Sequence, residues 1–131
     1  MFRIDKNDKT IHLTRGDAMV IGVAMKDRDG NVRNFFSGDV VRFKVYEKKN
    51  AAKVVLQKEL PPITEETDSV TIYLSNKDTK IGEEINKPKE YWYDIELNPD
   101  GDTQTIVGFD EDGAKVFMLY PEGGDVLEGE K

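Results

Sequence analysis

Bulkier apolar residues alternate with smaller ones in Asp17-Ala-Met-Val-Ile-Gly-Val-Ala-Met-Lys26. Met19, Ile21, Val23 and Met25 therefore share one side of an extended chain, and Ala18, Val20, Gly22 and Ala24 share the other. One face is bulky and the other slim, as in a strand that packs its large side into a core. The same rhythm recurs along the chain and predicts strands at residues 2–5, 10–13, 18–26, 32–35, 40–47, 54–60, 69–74, 91–98, 103–108 and 115–120. Clusters of Gly, Asp, Asn and Pro separate these runs at spacings of about eight to twelve residues, the pattern of an all-β sandwich. Asp29-Gly30, Asp100-Gly101 and Asp112-Gly113 each lie between two strand-like runs and predict three hairpins.

Two strands define the expected core. In the 40–46 run, Val41, Phe43 and Val45 face inward, and Arg42, Lys44 and Tyr46 face outward. In the 91–97 run, Tyr91, Tyr93, Ile95 and Leu97 form one face and Trp92, Asp94 and Glu96 the other. Trp92 is the only tryptophan, and it shares its face with two carboxylates. It either covers the sheet rim or lies in a contact surface. The strand rhythm breaks at residues 74–82. There Ser75 and Asp78 stand at capping-box spacing, Gly82 can close the turn, and Ile81 can drop over the open end of the core. This predicts one short helical turn near residues 75–81.

A length of 131 residues fits one domain, placed at 1–121, followed by an acidic, Gly-rich tail at 122–131 that is expected to be flexible. The formal charge of −7 repels a phosphate backbone, and the one basic cluster, Lys44, Lys48, Lys49 and Lys53, is interrupted by Glu47, so no nucleic-acid partner is expected. The chain has no cysteine, which excludes disulfides, thiolate catalysis and Cys-based metal sites. Residues 1–5 contain no apolar signal region, and no window approaches the roughly twenty apolar residues of a membrane span. The expectation is a protein made in the cytoplasm, without a secretion signal and without a membrane partner.

Candidate chemistry is sparse. His12, the only histidine, lies in a predicted strand between Ile11 and Leu13 with no nucleophile motif near it. The runs at 27–31, 100–102 and 110–113 carry oxygen ligands suited to Ca²⁺, but none continues into an EF-hand ladder, and Asp and Gly are also what hairpin turns prefer. Arg15-Gly16-Asp17 reads as a bend into the following strand: Gly16 turns the chain and Asp17 meets solvent. No glycine-rich phosphate loop occurs. No catalytic residue, cofactor or metal is expected.

Several segments taken together resemble a known family. They are Leu13-Thr-Arg-Gly-Asp17 entering a long strand, the 26–31 turn, Gly38-Asp-Val-Val-Arg-Phe-Lys-Val45, Leu74-Ser-Asn-Lys-Asp-Thr79 and Tyr91-Trp-Tyr-Asp-Ile-Glu96. Their order is similar to the N-terminal domain of phage baseplate upper proteins and to small tail-associated prophage proteins of Gram-positive bacteria, over roughly residues 10 to 120. The resemblance implies an immunoglobulin-like antiparallel β-sandwich without enzymatic activity, which holds parts of a virion tail or baseplate together. It also implies other tail or baseplate proteins as partners, with self-association as a further option. The chain ends near residue 131 without the stalk of the longer proteins, which on this resemblance implies an accessory or connector role. Trp92, Tyr46, Phe35 and Phe36 are the candidate interface residues, since interface cores are enriched in aromatics. The alternative is a carbohydrate- or host-surface-binding sandwich, with Trp92 as a platform for a sugar ring.

Overall fold

Alternation of large apolar and polar side chains produces an all-β chain, as expected. The computed structural model describes residues 1–26, 29–50, 52–98, 100–101, 103–108 and 114–122. Its strands are β1 (Phe2–Ile4), β2 (Ile11–Thr14), β3 (Met19–Val23), β4 (Met25–Lys26), β5 (Val32–Arg33), β6 (Val41–Tyr46), β7 (Val54–Glu59), β8 (Val70–Leu74), β9 (Lys89–Leu97), β10 (Gln104–Val107) and β11 (Lys115–Tyr120). Every predicted strand is present. The long run at 18–26 is interrupted at Ala24, which divides it into β3 and β4.

The strands form a seven-stranded sheet in the order β1-β2-β11-β9-β6-β7, with β10 also paired to β9, and two small sheets, β3-β8 and β4-β5. Pairing is antiparallel except between β2 and β11, where Ile11 lies opposite Phe117 and Leu13 opposite Leu119 in a parallel register. The large sheet is therefore mixed rather than purely antiparallel. Both sheets contribute to one core: Met19, Ile21, Ile72 and Leu74 from the small sheet cluster with Ile11, Leu13, Phe43, Ile95, Phe117 and others from the large one. Phe43 lies at its centre, with ring centroids 5.7 Å from Tyr93 and 6.4 Å from Phe117.

Two of the three predicted hairpins form, β4–β5 around Gly30 and β9–β10 around residues 98–101. The third, expected at Asp112-Gly113, falls on residues outside those described. Among the described residues β10 and β11 follow one another along the same edge of β9, with Val107 opposite Ile95 and Lys115 opposite Tyr93.

The 75–81 segment is a turn and not a helix. The capping box forms as predicted, with the Ser75 N–H donating to Asp78 Oδ2 at 3.0 Å and the Asp78 N–H donating to Ser75 Oγ at 3.2 Å. One α-type bond follows, from the Thr79 N–H to the Ser75 carbonyl at 3.2 Å, and one tighter i→i−3 bond, from the Lys80 N–H to the Lys77 carbonyl at 3.3 Å. Ile81 does drop into the core, at 3% exposure. The turn is sewn to the Arg15-Gly16-Asp17 bend. Buried Thr79 Oγ1 accepts from the Gly16 N–H at 3.1 Å and donates to the Asp17 carbonyl at 2.8 Å. Gly16 has φ +88°, a backbone conformation that favours glycine, and a Cβ there would stand 3.2 Å from Glu122 Oε1, so the glutamate would have to shift slightly to admit one.

Arg15 is drawn inward. Its guanidinium donates to the Ile81 carbonyl at 3.2 Å, the Gly82 carbonyl at 2.8 Å and Glu122 Oε1 at 2.9 Å. Asp17 is paired with the N-terminal ammonium. This tripeptide is a structural corner joining the start of β3, the loop after β8 and the end of β11. Of the acidic tail, only Glu122 lies among the described residues. No helix among the described residues is long and apolar enough to cross a membrane.

Candidate functional site

The outer face of the large sheet carries every even-numbered side chain of β6, β9 and β11, because the odd-numbered ones supply the core. Register then sets the neighbours. Tyr46 lies opposite Trp92, and Trp92 lies opposite Val116 on the next strand. One row along, Glu90 is opposite Met118 and Met118 is opposite His12. The result is a half-buried apolar band, Val116, Met118 and Tyr120 running along β11 with Trp92 beside them on β9.

A polar cluster borders the band on the β6 side. Tyr46 Oη donates to Asp94 Oδ2 at 2.7 Å, Lys44 Nζ lies 3.2 Å from Glu96 Oε1, and Lys44 Nζ also sits 5.5 Å from the centroid of the Tyr46 ring. Asp94 Oδ1 is buried without a hydrogen-bond partner. Burial raises the Asp94 carboxyl above its ordinary range, only partly offset by the Tyr46 hydrogen bond. Burial, followed by the bond to Asp94, pushes the Tyr46 phenol up to about 12. Burial disfavours the Lys44 ammonium, but its bonds to Tyr46 and Glu96 outweigh that and leave its pKa raised.

A carboxyl whose folded pKa is raised disfavours the fold once ionised. The penalty is absent below the unfolded carboxyl range and grows as pH climbs through the folded pKa. Asp94→Asn is therefore expected to melt higher than the parent at pH 7, with the difference shrinking towards zero near pH 3. Paired thermal scans at the two pH values check this.

On the β2 side, His12 bridges Asp5 and Tyr120. Its Nε2 is 3.1 Å from Asp5 Oδ2, its Nδ1 is 2.7 Å from Tyr120 Oη, and the His12 and Tyr120 rings stack at 5.8 Å. A carboxylate oxygen only accepts, so the ring donates to Asp5 from Nε2. Arg3 holds the same carboxylate. The chain Arg3–Asp5–His12–Tyr120 fastens the β1–β2 hairpin to the end of β11.

The four aromatics expected at an interface separate into two places. Trp92 and Tyr46 are cross-strand neighbours on the outer face, but Tyr46 is only 5% exposed, covered by its partners, so Trp92 is the accessible member. Phe35 is not an outer residue. It is fully buried in the core, held by an isolated bridge to Thr67. Its neighbour Phe36 points out, 48% exposed, in the loop before β6. Alternation requires adjacent residues of an extended segment to face opposite ways, so the period-two rule itself could have separated the pair. Val116, Met118 and Tyr120 were missed because nothing local shows that β11 lies beside Trp92.

Among the described residues no group of three or more His, Asp or Glu side chains is placed to hold a metal ion. The acidic turns at 27–31, 100–102 and 110–113 fall wholly or partly outside the described residues. A scan against models of protein families finds no match, and a search of curated proteins finds none either.

Proposed function

We propose that this chain is a non-enzymatic structural module of a phage or prophage tail or baseplate, built as an immunoglobulin-like sandwich and working through protein–protein contacts. The observation that carries the reading is the band of Trp92, Val116, Met118 and Tyr120 on the outer face of the large sheet. An aromatic and methionine band bordered by polar side chains has the composition of an interface core inside its rim. The immunoglobulin-like assignment draws support from the strand distribution. One layer holds β3-β8 and the other holds β6, β9 and β11, as B–E and C–F–G strands divide in such sandwiches. The virion assignment rests on the motif order set out above.

Chemical cross-linking with tail or baseplate proteins encoded beside this chain tests the reading. A complex is expected, and Trp92→Ala should weaken it by about 2 kcal/mol or more, roughly thirtyfold, as for a central anchor residue. A Trp92-dependent hit on a glycan array, with no complex formed, would overturn it in favour of carbohydrate binding. The burial of Tyr46 argues against that outcome, since it removes the cross-strand neighbour that would share a sugar platform with Trp92.

A further inference from the structure

β3 uses only one of its edges. It pairs with β8 from Met19–Leu74 to Val23–Val70, and among the described residues no strand pairs with its other side. The strand, Met-Val-Ile-Gly-Val, contains no charged residue and no proline, the devices by which exposed edges are ordinarily blunted. Beside this edge runs a groove of about 660 Å³. Phe2 and Ile4 of β1 line it together with Tyr93, Ile95, Ile106 and Val107 from β9 and β10. Tyr93 donates to the Lys9 carbonyl at 2.5 Å and so holds the β1–β2 turn over one end.

The charge around this groove runs against that of the chain. Lys6, Lys9 and Lys26 line it, all exposed and none in an ion pair among the described residues, in a protein whose formal charge is −7. The one lining carboxylate, Asp5, is already engaged by Arg3 and His12. A second copy of the chain docking edge to edge would bring two sets of lysines together, which argues against self-pairing.

We propose that the free edge of β3 receives an extended segment of a partner protein, with apolar residues at alternate positions and Asp or Glu at its flanks, as a third strand of the small sheet. Backbone hydrogen bonds to β3 give such a strand its hold. Every second side chain enters the groove, and the lysines read the acidic flanks. This surface lies apart from Trp92, so the proposal stands or falls separately from the tail-assembly reading.

Selection of a display library of short random peptides on the full chain tests it. Enriched peptides are expected to alternate apolar residues between acidic flanks. Bound peptide should slow amide exchange in β3. Lys6→Glu together with Lys26→Glu, both at exposed positions, should weaken the selected peptide by roughly tenfold or more, whereas Trp92→Ala should leave it unchanged. No enrichment, enrichment of helix-spaced or basic peptides, exchange protection confined to other strands, or indifference to the lysine reversal would each overturn the proposal.

Discussion

Phe43→Ala is expected to lower stability by about 3–5 kcal/mol, the range for emptying a fully buried aromatic site. Phe43 has no exposed surface and stands on β6 between Ile95 of β9 and Lys58 of β7, with the Tyr93 and Phe117 rings against it. Neighbours from three strands of a twisted sheet cannot collapse far into the void without losing ladder bonds. For a chain of this size the loss corresponds to a fall in melting temperature of roughly 10–20 °C. Thermal unfolding followed by far-ultraviolet circular dichroism measures it. The adjacent pair Phe35 and Phe36 supplies the contrast. Phe35→Ala should behave like Phe43→Ala, whereas Phe36→Ala, at an exposed loop position, should change stability by no more than about 0.5 kcal/mol.

Arg15→Ala is expected to be the most damaging polar substitution, at about 2–4 kcal/mol. A fully exposed ion pair contributes at most about 1 kcal/mol, and breaking a fully buried one costs about 3–5. The Arg15 and Glu122 side chains, 12% and 23% exposed, lie nearer the buried limit. The substitution also strips a donor from the Ile81 and Gly82 carbonyls, at the corner where three segments meet. Lysine should rescue only part of the loss, because one ammonium cannot reproduce the planar fork that reaches two carbonyls and a carboxylate. Urea unfolding of Arg15→Ala, Glu122→Gln and the double variant would show the ion pair as a coupling term, with the remainder assigned to the two carbonyls.

Local pattern revealed the strands because period-two alternation is a property of neighbours in sequence. It placed Val41, Phe43 and Val45 in the core and Arg42 and Lys44 outside, and the Asp-Gly pairs at 29–30 and 100–101 gave two real hairpins. What it could not supply was pairing across long separations. The parallel match of β2 with β11 sets Ile11 opposite Phe117, and the His12–Tyr120 contact beside it spans 108 residues. The tandem seating of β10 and β11 on β9 is equally invisible to a local window. The apolar band around Trp92 depends on β11 lying beside β9, so only its Trp92 member was legible. Tyr46 was assigned to the correct face, but its burial follows from Asp94 reaching it across strands, a contact that alternation does not encode. The free edge of β3 was likewise hidden: the run at 18–26 announced a strand, and nothing in it told how many partners that strand would find.

Hydroxyl-radical footprinting of the wild-type chain, free and mixed with the tail or baseplate proteins proposed as its partners, shows whether the outer-face band is the contact surface. Trp92, Met118 and Tyr120 are all oxidisable and lie in the outer-face band. The account predicts that all three react in the free protein and are shielded together in the complex, while Tyr73, 48% exposed on the small sheet, keeps its reactivity. Unchanged oxidation of Trp92 and Met118 in a complex that shields Tyr73 instead would contradict it.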